Sequence, residues 1–120
     1  MAPPPDPARF VEILRGTTLG LVRHEIPDLT ARQLAVFLIC YLENDPQTVR
    51  GLAAKLNVDR TPVTRAIDRL EGFGLARRKA DPQDRRSVLV ARTTRGNAFL
   101  RELNRLIQHA AKEAASDAVG

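Results

Sequence analysis

The sequence predicts a mainly α-helical fold class carrying one small β-hairpin. Three observations predict it. Apolar residues recur at helical spacing through most of the chain. One stretch, Leu75 to Arg92, instead reads as two short strands around a turn-rich loop. Ahead of it, two short helical patterns are joined by only three residues, Asn57-Val58-Asp59, the architecture of a helix-turn-helix.

Taken in order, residues 1–7 are proline-rich and are expected to form a disordered or extended lead. Phe10, Ile13, Leu14, Leu21 and Val22 then trace a first helix. Gly16 and Gly20 weaken its middle, and Pro27 disfavours helical geometry in the residue before it. Thr30 with Gln33 makes a capping box for a second helix, whose apolar face is Leu34, Phe37, Leu38, Tyr41 and Leu42. Asn44-Asp45-Pro46 ends it.

Thr48 caps a short third helix to Leu56, with Leu52, Ala53 and Leu56 turned inward. Asn57 tolerates left-handed geometry and Asp59 is placed to cap the next helix, Arg60 to about Phe73. Pro62 sits in its first turn, where a missing N–H is harmless, and Gly72 and Gly74 end it. Strands follow at Leu75–Lys79 and Ser87–Arg92 around Ala80-Asp81-Pro82-Gln83-Asp84. Thr93 or Thr94 caps a last helix with the stripe Phe99, Leu103, Leu106, Ile107 and Ala110. The order is helix, helix, an optional short strand, helix, helix, strand, strand, helix: a winged helix-turn-helix.

A length of 120 residues, with 43% apolar and 28% charged side chains, suits one globular domain over residues 8–120. Aromatics make up only 4%, so the core must be largely aliphatic. The single cysteine, Cys40, excludes an internal disulfide, and no Cys/His spacing suits zinc. Cys40 lies in an apolar helix with no evident cationic neighbour, which reads as a buried structural thiol. No catalytic constellation, metal set or phosphate-binding glycine loop is present, so neither enzyme activity nor a cofactor is expected. No secretory leader is evident, and the longest apolar run, Leu34–Leu42, is too short for a membrane span. A soluble cytoplasmic protein is expected.

Charge gives the first functional lead. The net charge is +5, and it is unevenly placed. Residues 60–95 hold 10 basic and 4 acidic side chains, a net +6, while the two flanking stretches carry −1 and zero. The fourth helix divides cleanly: Val63, Ala66, Ile67 and Leu70 face inward, and Arg60, Thr61, Thr64, Arg65, Asp68 and Arg69 face outward. A major groove is wide enough to admit such a helix, and arginine recognises phosphate or guanine bidentately. The hairpin adds Arg77, Arg78 and Lys79 on one strand, Arg85 and Arg86 near its tip, and Arg92 on the return. Arginine is drawn to the negative potential of a narrow minor groove. Asp81 and Asp84 sit awkwardly beside phosphate, and a pairing of Asp84 with Arg86 is the expected reason for them. The candidate DNA-contacting set is thus Thr48, Arg60, Thr61, Pro62, Thr64, Arg65, Asp68, Arg69, Arg77, Arg78, Lys79, Asp84, Arg85 and Arg86.

Several segments together resemble the multiple antibiotic resistance regulator (MarR) family of winged-helix transcription factors. They are Leu29-Thr30-Ala31-Arg32-Gln33, Leu52 to Val58, Thr61 to Glu71, Gly74-Leu75, Arg78, Asp81 to Arg86, and Thr93-Thr94-Arg95-Gly96. The resemblance implies a homodimer, more often a repressor, on a palindromic operator. It places Arg60 to Arg69 in the major groove and Arg86 in the minor groove, braced by Asp84. It assigns dimerisation to residues 8–25 and 95–118, here through Phe10, Ile13, Leu14, Leu21, Phe99, Leu103, Leu106, Ile107 and Ala110. Residues 30–94 become the DNA-binding lobe. A small-molecule effector of unknown identity joins DNA and a second copy as a candidate partner. Arg92 stands where the family usually has an apolar residue. The competing reading is a winged-helix module that binds protein, or DNA without sequence preference, and senses no effector.

Overall fold

A computed structural model describes residues 7–119; the lead expected over residues 1–7 lies outside them except for Pro7, which instead opens the first helix. Its element order is α1 (Pro7–Arg23), α2 (Ala31–Leu42), β1 (Gln47–Thr48), α3 (Val49–Leu56), α4 (Arg60–Gly72), β2 (Arg77–Ala80), β3 (Val88–Ala91) and α5 (Thr94–Val119). The chain divides into two compact units. One runs from Leu29 to Phe99, and the other holds the chain before Leu29 and from Leu100 onward.

The Leu29–Phe99 unit is the winged helix-turn-helix. Thr30 Oγ1 accepts from the Gln33 N–H at 3.1 Å and Gln33 Oε1 accepts from the Thr30 N–H at 3.0 Å, completing the expected capping box. Thr48 Oγ1 accepts from the Gly51 N–H at 3.0 Å and starts α3. Asn57 closes α3 in the left-handed region, φ 55°. Asp59 occupies the N-cap position of α4, but its carboxylate makes no capping hydrogen bond, contrary to expectation. Val36, Phe37, Leu52, Val63, Ile67 and Leu70 are fully buried and form the lobe's core. Phe37 stacks on Tyr41 with centroids 4.3 Å apart and meets the edge of Phe99 at 4.9 Å.

The hairpin becomes a three-stranded antiparallel sheet in the order β1-β3-β2. Its strands are shorter than expected, because the β2–β3 pairing runs only from Arg77↔Ala91 to Ala80↔Val88, which leaves out Leu75, Ala76, Ser87 and Arg92 and adds Ala80. Gly74, at φ 75°, makes the left-handed step that only glycine takes cheaply between α4 and β2. Thr93, not Thr94, caps α5: its Oγ1 accepts from the Gly96 N–H at 2.9 Å.

The second unit pairs α1 with the later turns of α5. A Cβ on Gly16 would lie 2.9 Å from the Ala110 Cβ, and one on Gly20 would lie 2.8 Å from Leu106 Cδ2. The glycines that weaken α1 as an isolated helix are therefore positions where α5 packs too closely to leave room for a Cβ. Leu103, Leu106, Ala110 and Ala114 are buried along α5.

Candidate nucleic-acid interface

The interface is built on α4. Its inner stripe, Val63, Ala66, Ile67 and Leu70, is buried in the lobe, which fixes the opposite face outward. Thr61, Thr64, Arg65, Asp68 and Arg69 are exposed there, and Arg60 is exposed at its start. Arg69 lies over the Phe73 ring, 4.5 Å from its centroid, which holds that guanidinium against the end of the helix.

Strand register decides what the hairpin presents. Arg78 stands opposite Val90, which is buried, so the Arg78 side chain takes the inner face of the sheet. Arg77 and Lys79, its neighbours on either side, alternate to the outer face and are exposed. An inward guanidinium needs counter-charges, and α4 provides them. Arg78 pairs with Asp68 at 2.5 Å and with Glu71, whose carboxylate also accepts from the Arg78 N–H at 3.0 Å. Burial works against the charge of Arg78, but the hydrogen bonds to Asp68 and Glu71 outweigh it and raise its pKa. Two of the expected DNA contacts, Arg78 and Asp68, are thus joined to each other and tie the wing to α4.

The wing tip departs from expectation in an informative way. Asp84 Oδ1 accepts from the backbone N–H of Arg86 at 2.9 Å, not from its guanidinium. Asp81 Oδ1 likewise accepts from the Gln83 N–H at 2.9 Å. Both aspartates are turn formers, because their short carboxylates reach the backbone two residues on more readily than a long flexible side chain. Among the described residues, neither the Arg85 nor the Arg86 guanidinium has an ion-pair partner, and both are exposed.

Arg92 also departs from the expected role. It turns to the end of α2, where Nε donates to Cys40 O and Nη2 to Glu43 O, each at 2.8 Å. It satisfies carbonyls that a helix end leaves without partners, so a basic residue here serves the fold and leaves the hairpin's reading surface. Arg92 is also the cationic neighbour of Cys40 that the sequence did not reveal. Burial still dominates and pushes the Cys40 thiol up to about 11, with Arg92 and Lys55 opposing it and Glu43 reinforcing it.

Between the start of α3, the start of α4 and the wing lies a cleft of about 490 Å³. It is lined by Thr48, Val49, Arg50, Arg60, Asp84, Arg86, Ser87 and Val88. The fold thereby gathers four of the candidate residues, Thr48, Arg60, Asp84 and Arg86. Arg50 is a lining residue that the sequence reading missed; its position in the first turn after the Thr48 cap was the available signal. Thr61, Thr64, Arg65 and Arg69 stay on α4, and Arg77, Lys79 and Arg85 stay on the hairpin, outside this cleft.

The residues expected to dimerise separate into two groups. Phe99 belongs to the lobe core against Phe37, and Leu103, Leu106 and Ala110 are buried within the chain. Phe10, Leu14 and Ile107 are exposed, at 54%, 65% and 40%, while Ile13 and Leu21 are half-buried. Among the described residues, no three His, Cys, Asp or Glu side chains gather as a metal set, and no helix is long and apolar enough to cross a membrane.

Comparison with known proteins places this architecture. The uncharacterized HTH-type transcriptional regulator YkoM of Bacillus subtilis is 35% identical over 68 residues, covering 57% of this chain and 44% of that protein. The chain thus spans less than half the length of this curated relative. The transcriptional regulator Tm0710 of Thermotoga maritima superposes with a TM-score of 0.75 at 25% identity, over 90% of this chain and 72% of the other. CouR of Rhodococcus jostii RHA1, solved bound to p-coumaroyl-CoA, superposes with a TM-score of 0.63 at 26% identity, over 84% and 68%. The profile of the MarR family matches residues 29–88, half of the sequence and nearly all of the lobe that carries the arginine surface. This chain, a winged helix-turn-helix from its capping box to its wing, belongs to the MarR family.

Proposed function

We propose that this protein is a sequence-specific, double-stranded-DNA-binding transcriptional regulator. It acts as a homodimer on a palindromic operator, with repression the expected sign. The observation that carries the reading is a set of exposed arginines that have no carboxylate partner among the described residues, Arg60 and Arg65 on α4 and Arg85 and Arg86 on the wing. Their neighbours Arg78 and Arg92 are satisfied internally, which leaves the unpaired ones for an anionic partner. In this reading α4 enters the major groove and Arg86 reaches the adjacent minor groove.

Dimerisation is supported by a different surface. Phe10, Val11, Leu14 and Val22 are each more than half exposed. They share about 120° of the α1 circumference with Leu21, at 100° per residue. A contiguous exposed apolar stripe on a small protein marks an interface, and an isologous pair closes it with one copy. Operator palindromy then mirrors the two-fold axis. A cytoplasmic location fits this role. A small-molecule effector is a further expectation, resting on the bound p-coumaroyl-CoA of CouR.

In-vitro selection of bound duplexes by the purified protein tests the reading. A palindromic consensus with half-sites one helical turn apart is the expected result. Random DNA competing equally with any selected duplex favours the non-specific or protein-binding module instead. On the selected site, Arg86→Ala is expected to weaken binding about tenfold or more, roughly 1.4 kcal/mol, without change in Tm. Unaltered affinity in an anisotropy titration would remove Arg86 from the interface.

A further inference from the structure

We infer that the DNA-binding surface has a second flank, opposite the wing, on which Arg32 of α2 contacts a backbone phosphate. The inference rests on the proposed DNA-binding reading and extends it to a residue outside the helix-turn-helix and the hairpin. A second cleft, of about 190 Å³, lies beside α4 and is lined by Thr30, Arg32, Gln33, Pro62, Arg65 and Ala66. Helical geometry places the two clefts. At about 100° per residue, Pro62, Arg65 and Ala66 lie roughly 140–240° around the α4 axis from Arg60, which lines the wing-side cleft. The exposed face of Thr61, Thr64 and Asp68 falls between them, at roughly 40–100°. The clefts therefore border the reading face on its two sides.

That arrangement matches the partner's dimensions. A helix about 10–12 Å across fills a major groove about 12 Å wide, so whatever borders the helix meets the two phosphate chains that border the groove. On the wing side those positions hold Arg50, Arg60 and Arg86. On the other side they hold Arg65 and Arg32, both exposed. Among the described residues neither has a carboxylate within ion-pair distance. Arg32 also sits on a rigid mount. The capping box pins the first turn of α2, and Val36 and Phe37 in the next turn are fully buried. A guanidinium held at a fixed place loses less entropy on meeting phosphate than one on a mobile loop.

The test is an anisotropy titration of the full chain against one selected duplex and one random duplex between 50 and 200 mM salt. Arg32→Ala is expected to weaken binding to both duplexes about three- to tenfold. It should also flatten the slope of log affinity against log salt by about one per protomer, the signature of one lost phosphate contact. Arg32→Lys should recover most of both. Arg101→Ala, an exposed arginine of α5, removes the same charge elsewhere and should leave the slope unaltered. An Arg32→Ala protein that matches Arg101→Ala in affinity and slope overturns the inference while leaving the DNA reading standing. A wild-type titration without salt dependence overturns both.

Discussion

The lobe from Leu29 to Phe99 and the unit built from α1 and the later α5 have similar apolar periodicity in sequence and opposite fates in structure. In the lobe, Val36, Phe37, Leu52, Val63 and Ile67 retain no solvent exposure. In the helical unit, Val11, Leu14 and Val22 stay 65–75% exposed. The difference is one of covering layers. Three helices, the first turn of α5 and a sheet share the lobe's core, whereas in the other unit two helices cover each other on one face only. The lobe buries its core within one chain, and α1 keeps an exposed apolar stripe, the face proposed above for a second copy.

The most disruptive way to challenge this contrast is to fill the lobe's most crowded glycine position. Tyr41 Oη donates to Leu75 O at 2.6 Å and accepts from the Thr93 N–H at 2.9 Å, joining α2, the start of the wing and the start of α5. A Cβ on Gly96 would collide with that hydroxyl and lie 2.8 Å from Leu75 O. Gly96→Ala is expected to cost about 3 kcal/mol or more and to lower Tm by roughly 10 °C. A loss below 1 kcal/mol in thermal unfolding would mean that the lobe yields more easily than its burial suggests.

The helical unit should respond in the opposite sense. Leu14→Glu places a charge in the stripe at a side chain that is 65% exposed. Self-association measured by sedimentation is expected to weaken on the order of 100-fold, about 2.8 kcal/mol. The Tm of the diluted monomer should stay within about 2 °C, as for other surface changes. An unchanged dimer would move the interface off the α1 stripe.

A smaller effect sharpens the contrast from inside the lobe. Burial raises the Cys40 thiol from its ordinary 9.0 to about 11. The folded state therefore holds the proton more tightly than the unfolded chain. The contribution is fully present below pH 9 and fades as pH rises from 9 toward 11. Denaturant unfolding across that window should show a steeper loss in the wild type than in Cys40→Ala. Parallel curves would indicate a thiol already open to water.

Much of the fold was legible because its signals are local. A threonine three residues before a glutamine, a left-handed asparagine and a glycine after a helix act within one turn of chain. The charge concentration at residues 60–95 was equally plain, since it requires only counting. Side-chain partners were less legible, as the wing aspartates illustrate. Asp84 beside Arg86 invites an ion pair, yet the hydrogen bond within reach of a short carboxylate was the backbone N–H. Arg78 offers no local hint that Asp68, ten residues earlier, would hold it.

The sequence by itself determined the order of elements, the face of α4 that turns outward and the stretch that carries the positive charge. Those follow from periodicity, capping and composition, each of which acts within a few residues. Only the tertiary structure decided which arginines remain available to a partner. Strand register turned Arg78 inward to Asp68 and Glu71, and chain return brought Arg92 to carbonyls about fifty residues away. The same folding set Arg32 beside Arg65 along the flank of α4. The physical reason is that a guanidinium pairs with whatever acceptor the packed elements bring within about 3 Å, and that distance bears no relation to separation along the chain.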